Sequence, residues 1–501
     1  MTAAALLARA GQKILLLERS GSLGGAASTY QVGGLTVEAS LHETSDPHDP
    51  IDPKHSVLAR LGILDALEWV PTKSIFEVRG GPVGAPFTLP DGFAAARAAL
   101  VDRFPSAKLG IATLLGEMER ITVGLGTLSQ GRAAFHSLRQ GLGVLSKLAP
   151  VVRNWRCSLG EVLRRTCNDN EGVKCALSAN LPYWHDDPDE LWWILFAVAQ
   201  GGYLASGSRY IRGGSGQLSA ALANVVQKSG GEILLSRHVT DIGLDALGRP
   251  MCVTHVGRDG ATPTVARTRT VIANAAPAVV VSMLPAEVRE RFWASYEGQR
   301  PSISLFSATF GLSVRPAVLG FRSYSTFLLP ASMKALTDFR LSTAKLDAAI
   351  RNDAPTMTIV DYSAIDAGLG GPPYPVSVVG VDRLANWTGL DTAARAAKRE
   401  RCRQFIIAAI ELEFPGFAAQ ITQSVFNTAE SMREHLNTPA GAVYGFAPLA
   451  PTGPIWRGMG RSCKTPVSGL YLASSYAGSG GFTGAIRAGN DAADSILANR
   501  R

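Results

Sequence analysis

Cysteine is sparse in this 501-residue chain, and what there is lies scattered. The six residues Cys157, Cys167, Cys175, Cys252, Cys402 and Cys463 form no C-x-x-C pair, and no histidine stands at metal-ligand spacing from them. This excludes a disulfide-stapled scaffold and a structural zinc or other metal site, and it predicts reduced thiols in a cytoplasmic compartment. Long apolar runs are missing as well. The longest extends only from Leu191 to Ala199, whereas a helix that crosses a bilayer needs about twenty such residues. The N-terminus lacks a basic region followed by an apolar core and a cleavage site, so secretion has no support. A formal charge of +8 arises from 49 Lys+Arg against 41 Asp+Glu without any basic run. Aromatic residues are not interleaved with basic ones, which argues against nucleic acid as a partner. An anionic membrane surface is the charged partner this balance allows, and a peripheral association the corresponding expectation. Finally, no Ser/His/Asp arrangement, carboxylate pair or metal cluster can be assigned from spacing.

What is present is a globular composition, 46% hydrophobic and 18% charged, in a chain long enough for two domains. Its 52 glycines follow no period and concentrate in turns. Near the C-terminus a strand, Leu470 to Ala473, runs into Gly480-Gly481-Phe482-Thr483-Gly484 and then a helix to Ala498. Unpaired N–H groups and the helix dipole make such a start an anion site, and the glycines let a ligand approach the backbone. At the other end, residues 2–10 read as a helix stopped by Gly11, and Lys13 to Leu17 as a buried strand ending in Glu18-Arg19. A carboxylate at that strand tip suits a ribose, and Gly24-Gly25 brings the next turn up to a pyrophosphate.

These two ends resemble the flavoprotein family of phytoene desaturases, carotenoid isomerases and retinol saturases. Further matches are Gly213-Gly214-Ser215 opening a helix, the Val239-Thr-Asp-Ile242 strand, the Val271-to-Pro277 strand and turn, and the Thr438-to-Gly445 crossing segment. The resemblance implies an α/β, two-domain, Rossmann-like FAD-binding fold of the glutathione-reductase type, with an α+β substrate domain made of an antiparallel sheet and a helical lid. It places residues 1–73, 206–284 and 440–501 in the FAD-binding domain, and 74–205 and 285–439 in the substrate domain. It further implies FAD held by Glu18, Arg19, Gly24, Gly25, Val239, Gly480, Gly481, Phe482, Thr483 and Gly484, with His42 and Tyr444 as flavin-proximal candidates. The implied activity is redox chemistry or isomerisation at C–C bonds of a long apolar polyene. Amine oxidation and a non-enzymatic escort role are the alternatives. Two departures stand out. Relatives often carry Arg or Lys where this chain has Ala26-Ala27, and they begin with a strand and G-x-G-x-x-G, whereas this chain starts inside the following helix. A late start, a fragment or loss of FAD would each explain the second. Retention of the C-terminal glycine turn favours the first, with the strand and glycine motif expected in frame upstream of Met1.

Several local readings complete the expectation. Asp52 and Pro53 read as a helix start, as do the acids Asp186 to Glu190. Residues 93–180 read as helices broken at Pro105, Gly110, Pro150 and Gly172, forming a lid over an apolar tunnel. Trp184, Trp192, Trp193 and Tyr203 suit a membrane interface. Strands are expected at Ser302 to Leu312, Tyr324 to Leu329, Thr356 to Tyr362, Pro375 to Val381 and Val425 to Glu430, and a helix at Asp391 to Leu412.

Overall fold

The computed structural model describes residues 1–39, 42–129, 147–258, 260, 262–343, 346, 355–458 and 461–499. Two short parallel strand pairs anchor one half of the molecule, Leu15–Leu17 with Glu232–Leu234 and Val271–Ala273 with Leu470–Leu472. Among the described residues, the two pairs share no ladder. Three helices, Thr2–Arg9, Gly216–Lys228 and Gly481–Ala498, pack into one core through Leu6, Leu7, Leu222, Ile486 and Ile496. Glycine sets the approach of the first to the last: a Cβ on Gly489 would lie 2.7 Å from Thr2 Cβ. A three-stranded antiparallel sheet, Arg237–Leu244, Pro250–Gly257 and Thr264–Arg267, stands beside them.

The other half is a seven-stranded sheet in the order Ile421–Asn427, Ser304–Leu312, Tyr374–Asp382, Met357–Asp361, Ser325–Leu329, Phe76–Gly80, Gly84–Leu89. It is antiparallel except where Ser325–Leu329 runs parallel to Phe76–Gly80, a departure from the all-antiparallel expectation. The parallel step arises because the Phe76–Leu89 hairpin joins from far upstream and needs no tight turn to its neighbour. Strand alternation divides the sheet's duties. Phe306, Phe310, Ile359 and Val378 pack on the helix Thr392–Glu413 through Cys402, Ile406 and Ile410, while Leu305, Ser307 and Val379 face a large cavity.

Helices Phe93–Arg103, Lys108–Ser129, Leu159–Cys167, Glu171–Leu177 and Trp193–Ser206 form the lid; the stretch expected to be helical over 130–146 lies outside the described residues. Three of the four expected breaks are wrong. Gly110 and Gly172 sit inside helices, where a Cβ would fall 2.0 Å from Thr166 O and 2.7 Å from Phe104 Cε1, so these glycines serve close packing. Pro150 also lies within a helical stretch, while Pro105 opens a 3-10 turn. The acids 186–190 do not cap the Trp193 helix, which starts at Trp192 without a side-chain cap. Asp186 instead pairs with Arg383 and accepts from Thr343 Oγ1 at 3.1 Å. Asp52 is likewise no cap: its carboxylate takes the Lys54 backbone N–H and Nζ, each at 2.8 Å, ahead of a helix that begins at His55. The strand expected to reach Glu430 ends at Asn427, because Thr428 caps a helix, Ala429–Leu436. The four aromatics assigned to an interface are interior. Trp192 and Trp193 are core, and Trp184 and Tyr203, half-buried, pack against it.

Candidate active site

A cavity of about 2590 Å³ runs between the two halves. Small-molecule pockets occupy roughly 300–1,000 Å³, so this one has room for a dinucleotide and a second ligand. One arm lies along the open edges of Leu15–Leu17 and Val271–Ala273 and under the start of the Gly481 helix. The other extends among lid side chains, including Leu125, Trp184, Trp192, Leu195 and Val198. Its long apolar end is built by the lid and its polar, glycine-lined end by the strand tips.

All the residues singled out from the sequence, Glu18, Arg19, Gly24, Gly25, His42, Val239, Tyr444, Gly480, Gly481, Phe482, Thr483 and Gly484, line this cavity. Glu18 follows its strand and holds the next turn, accepting the Ser20 N–H at 2.7 Å. Arg19 is committed elsewhere as well: its guanidinium donates to the carbonyls of Glu434 and His435 at the end of the Ala429–Leu436 helix. Gly24 (φ 114°) is packed from behind, where a Cβ would fall 2.3 Å from Ala27 O. Gly25 (φ 59°) is open, with nothing within 4 Å of such a Cβ. Gly480 (φ 78°, ψ 178°) precedes a helix with no side-chain cap, and a Cβ there would overlap Tyr444 O at 2.2 Å. The first-turn N–H groups of that helix therefore face the cavity without a protein cap. A glycine cradle, uncapped amides and a carboxylate at a strand tip form a donor set that fits a dinucleotide.

Between the polar end and the lid lies a cluster of which the sequence had singled out only His42 as a site residue. His42 is buried, and its Nδ1 is 3.1 Å from the Tyr362 hydroxyl. Its Nε2 has no partner among the described residues. Burial pushes the imidazole down to about 4, so the ring is neutral at pH 7. Glu43, next in the chain, accepts from Ser208 Oγ at 2.8 Å and from the Tyr183 hydroxyl at 3.3 Å, and its carbonyl takes the Tyr203 hydroxyl at 3.3 Å. Burial raises its carboxyl to about 7. Lys54, fully buried, donates to Asp52 at 2.8 Å and Ser45 at 2.9 Å and reaches Thr483 Oγ1 at 3.4 Å, tying the glycine helix to this cluster. Glu43 and Lys54 carry no sequence signal beyond their neighbours, because their partners are contributed by remote segments.

The sequence pattern of the family described as "Flavin containing amine oxidoreductase" matches residues 1–295. Among curated proteins, all-trans-retinol 13,14-reductase from Macaca fascicularis is 27% identical over 260 residues, which is 50% of this chain and 41% of that protein. The Homo sapiens protein of the same name is 26% identical over 260 residues, with the same shares. The alignment thus spans less than half the length of these relatives. Solved structures share the fold over nearly the whole chain. An oxidoreductase from Methanosarcina mazei superposes with a TM-score of 0.61 at 13% identity, covering 99% of this chain and 97% of that one. Cyclohexylamine oxidase from Brevibacterium oxydans gives 0.59 at 16%, covering 100% and 96%. Putrescine oxidase bound to putrescine gives 0.61 at 16%, covering 99% and 96%. The chain belongs to the flavin-containing amine oxidoreductase family, and its cofactor is FAD.

Proposed function

We propose that this flavoenzyme acts on C–C bonds of a long, apolar, retinoid-like polyene. The carrying observation is the apolar arm of the cavity, walled by Leu125, Trp184, Trp192, Leu195 and Val198 and continuous with the glycine-lined end. Such a shape suits a chain-like hydrocarbon better than a small polar amine, and the retinol reductase relatives are consistent with it. FAD, when bound, supplies the two-electron chemistry. The protein's part is to hold it: Glu18 for ribose, Gly24 and Gly25 for the pyrophosphate turn, the Val239 strand for the adenine, and the Gly481 helix start for the flavin end. The same lid excludes water from the reacting carbons.

The substrate is met at an anionic membrane surface, to which the protein binds peripherally. Leu109 (84% exposed), Val152 (62%) and Trp456 (84%) are exposed apolar side chains available for that contact, while Arg153, which shares a groove with Leu109, pairs with Glu117. Among the described residues, no helix is long and apolar enough to cross a membrane. Anaerobic mixing of the reduced enzyme with an all-trans retinoid, and of the oxidised enzyme with a small amine, tests the substrate class. Reoxidation of the flavin by the retinoid supports the reading, and reduction of the flavin by the amine without any reaction of the retinoid overturns it. Flotation with anionic liposomes at low salt tests the surface.

A further inference from the structure

We propose that Glu43 is the proton donor of the reaction, with the Ser208 and Tyr183 hydroxyls setting its acidity. This rests on the polyene reading. Saturating a C=C bond consumes a hydride and a proton. Because the reduced cofactor accounts for the hydride, one acidic hydrogen has to come from the protein. The O–H bond of the Glu43 carboxyl breaks, the electron pair of the olefin takes the proton to form the second C–H bond, and the carboxylate left behind is reprotonated from solvent.

Glu43 lines the cavity where the lid meets the glycine-lined end, and hydroxyls from two remote segments hold its carboxyl there. Its carboxyl is held by Ser208 from the strand Ser208–Ile211 and Tyr183 from the lid, its backbone carbonyl by Tyr203 from the Trp193–Ser206 helix, and Tyr324 lies near; Tyr444 stands beyond Tyr183 and Tyr203, and His42 precedes Glu43 in the chain. Each of these phenols is pushed well above its usual range by burial, and His42 is held neutral. Glu43 is therefore the acid of this cluster that exchanges a proton near neutral pH. Lys54 and Asp52, of the same cluster, pair with each other at 2.8 Å. Tyr444, against which Gly480 packs, connects the cluster to the glycine-lined end of the cavity.

An acid has to be protonated to act, so kcat of the parent enzyme is present below about pH 7 and lost above it. Glu43→Gln is expected to lower kcat by roughly 10²–10⁴-fold and to flatten the pH profile. Binding of the retinoid to the oxidised enzyme, read by tryptophan quenching, is expected to stay unchanged. Infrared difference spectra of the parent should show a protonated-carboxyl band that titrates near neutral pH and is absent in the variant. Ser208→Ala, which removes a hydrogen bond to the ionised form, should move the pH limb upward, and it decides the matter if Glu43→Gln does not fold. A Glu43→Gln enzyme within threefold of the parent, or an unmoved limb in Ser208→Ala, overturns the assignment of Glu43 alone. A parent that holds FAD yet reduces no retinoid overturns the polyene reading together with it.

Discussion

Replacing Gly480 by alanine tests the cradle most directly. The residue has φ 78° and ψ 178°, a region open in practice only to glycine. A side chain there carries about 1–3 kcal/mol of strain. Its Cβ would also stand 2.2 Å from the Tyr444 carbonyl oxygen, against an ordinary contact of 3.4 Å or more, so the turn and the Tyr444 segment have to part by about 1 Å. Both penalties apply to the conformation that receives the cofactor, and both relax when the turn moves away. FAD affinity is expected to fall about 5- to 150-fold, the affinity equivalent of that strain. Gly478→Ala is the matched control: its backbone is extended at φ −148°, and the nearest atom to an added Cβ is Gly484 O at 3.7 Å. Both variants would be purified at limiting FAD and compared by the ratio of flavin to protein absorbance. Gly480→Ala carrying as much flavin as Gly478→Ala and the parent would refute the reasoning.

Glu18→Ala should weaken FAD retention by about tenfold to a hundredfold, as expected for a charged hydrogen bond of roughly 1.5–3 kcal/mol; equal flavin content at limiting FAD excludes Glu18 as the ribose ligand. Lys54→Ala strands Asp52 in the interior beside Ser45, and a loss of about 3–5 kcal/mol is expected in urea unfolding. The buried neighbours His42 and Glu43 bias stability in opposite directions. His42 falls from 6.5 to about 4 on folding, so its contribution is present above pH 6.5 and lost as pH drops through 4. Glu43 rises from 4.5 to about 7, so its contribution is present below pH 4.5 and lost as pH climbs through 7. Each is worth about 3 kcal/mol, and between pH 4.5 and 6.5 they offset. Glu43→Gln should therefore make the acid loss of stability steeper than in the parent, and a parallel pair of melting curves from pH 4 to 8 would contradict this.

The glycine-rich ends were legible because they rest on local backbone needs: Gly24, Gly25 and Gly480 occupy positive-φ positions that a one-letter pattern already signals. Alternating apolar strands were legible for the same reason, and of the five strands expected between 302 and 430 all but Ile421–Asn427 begin within two residues of expectation. What was not legible depends on remote partners. Asp186 looks like a helix cap until Arg383 and Thr343 arrive beside it. Glu43 looks like a loop acid until Ser208 and Tyr183 enclose it. Gly110 and Gly172 share a letter with helix breakers, but the neighbouring Thr166 carbonyl and Phe104 ring give them a packing role instead.

The separation of the two parallel strand pairs bears on how the protein assembles. Among the described residues, Leu15–Leu17 and Val271–Ala273 each keep one ladder, and both strands line the cavity. Helix packing through Leu6, Leu222 and Ile486 therefore carries much of the connection between them, together with whatever occupies the space. Residues of both strand pairs line the space that would hold FAD, and the unfolded chain offers no equivalent seat. By mass action, a cofactor at a hundred times its dissociation constant adds about 2.7 kcal/mol to the folded state. Expression with and without added riboflavin is accordingly expected to change how much folded protein accumulates, before any effect on turnover.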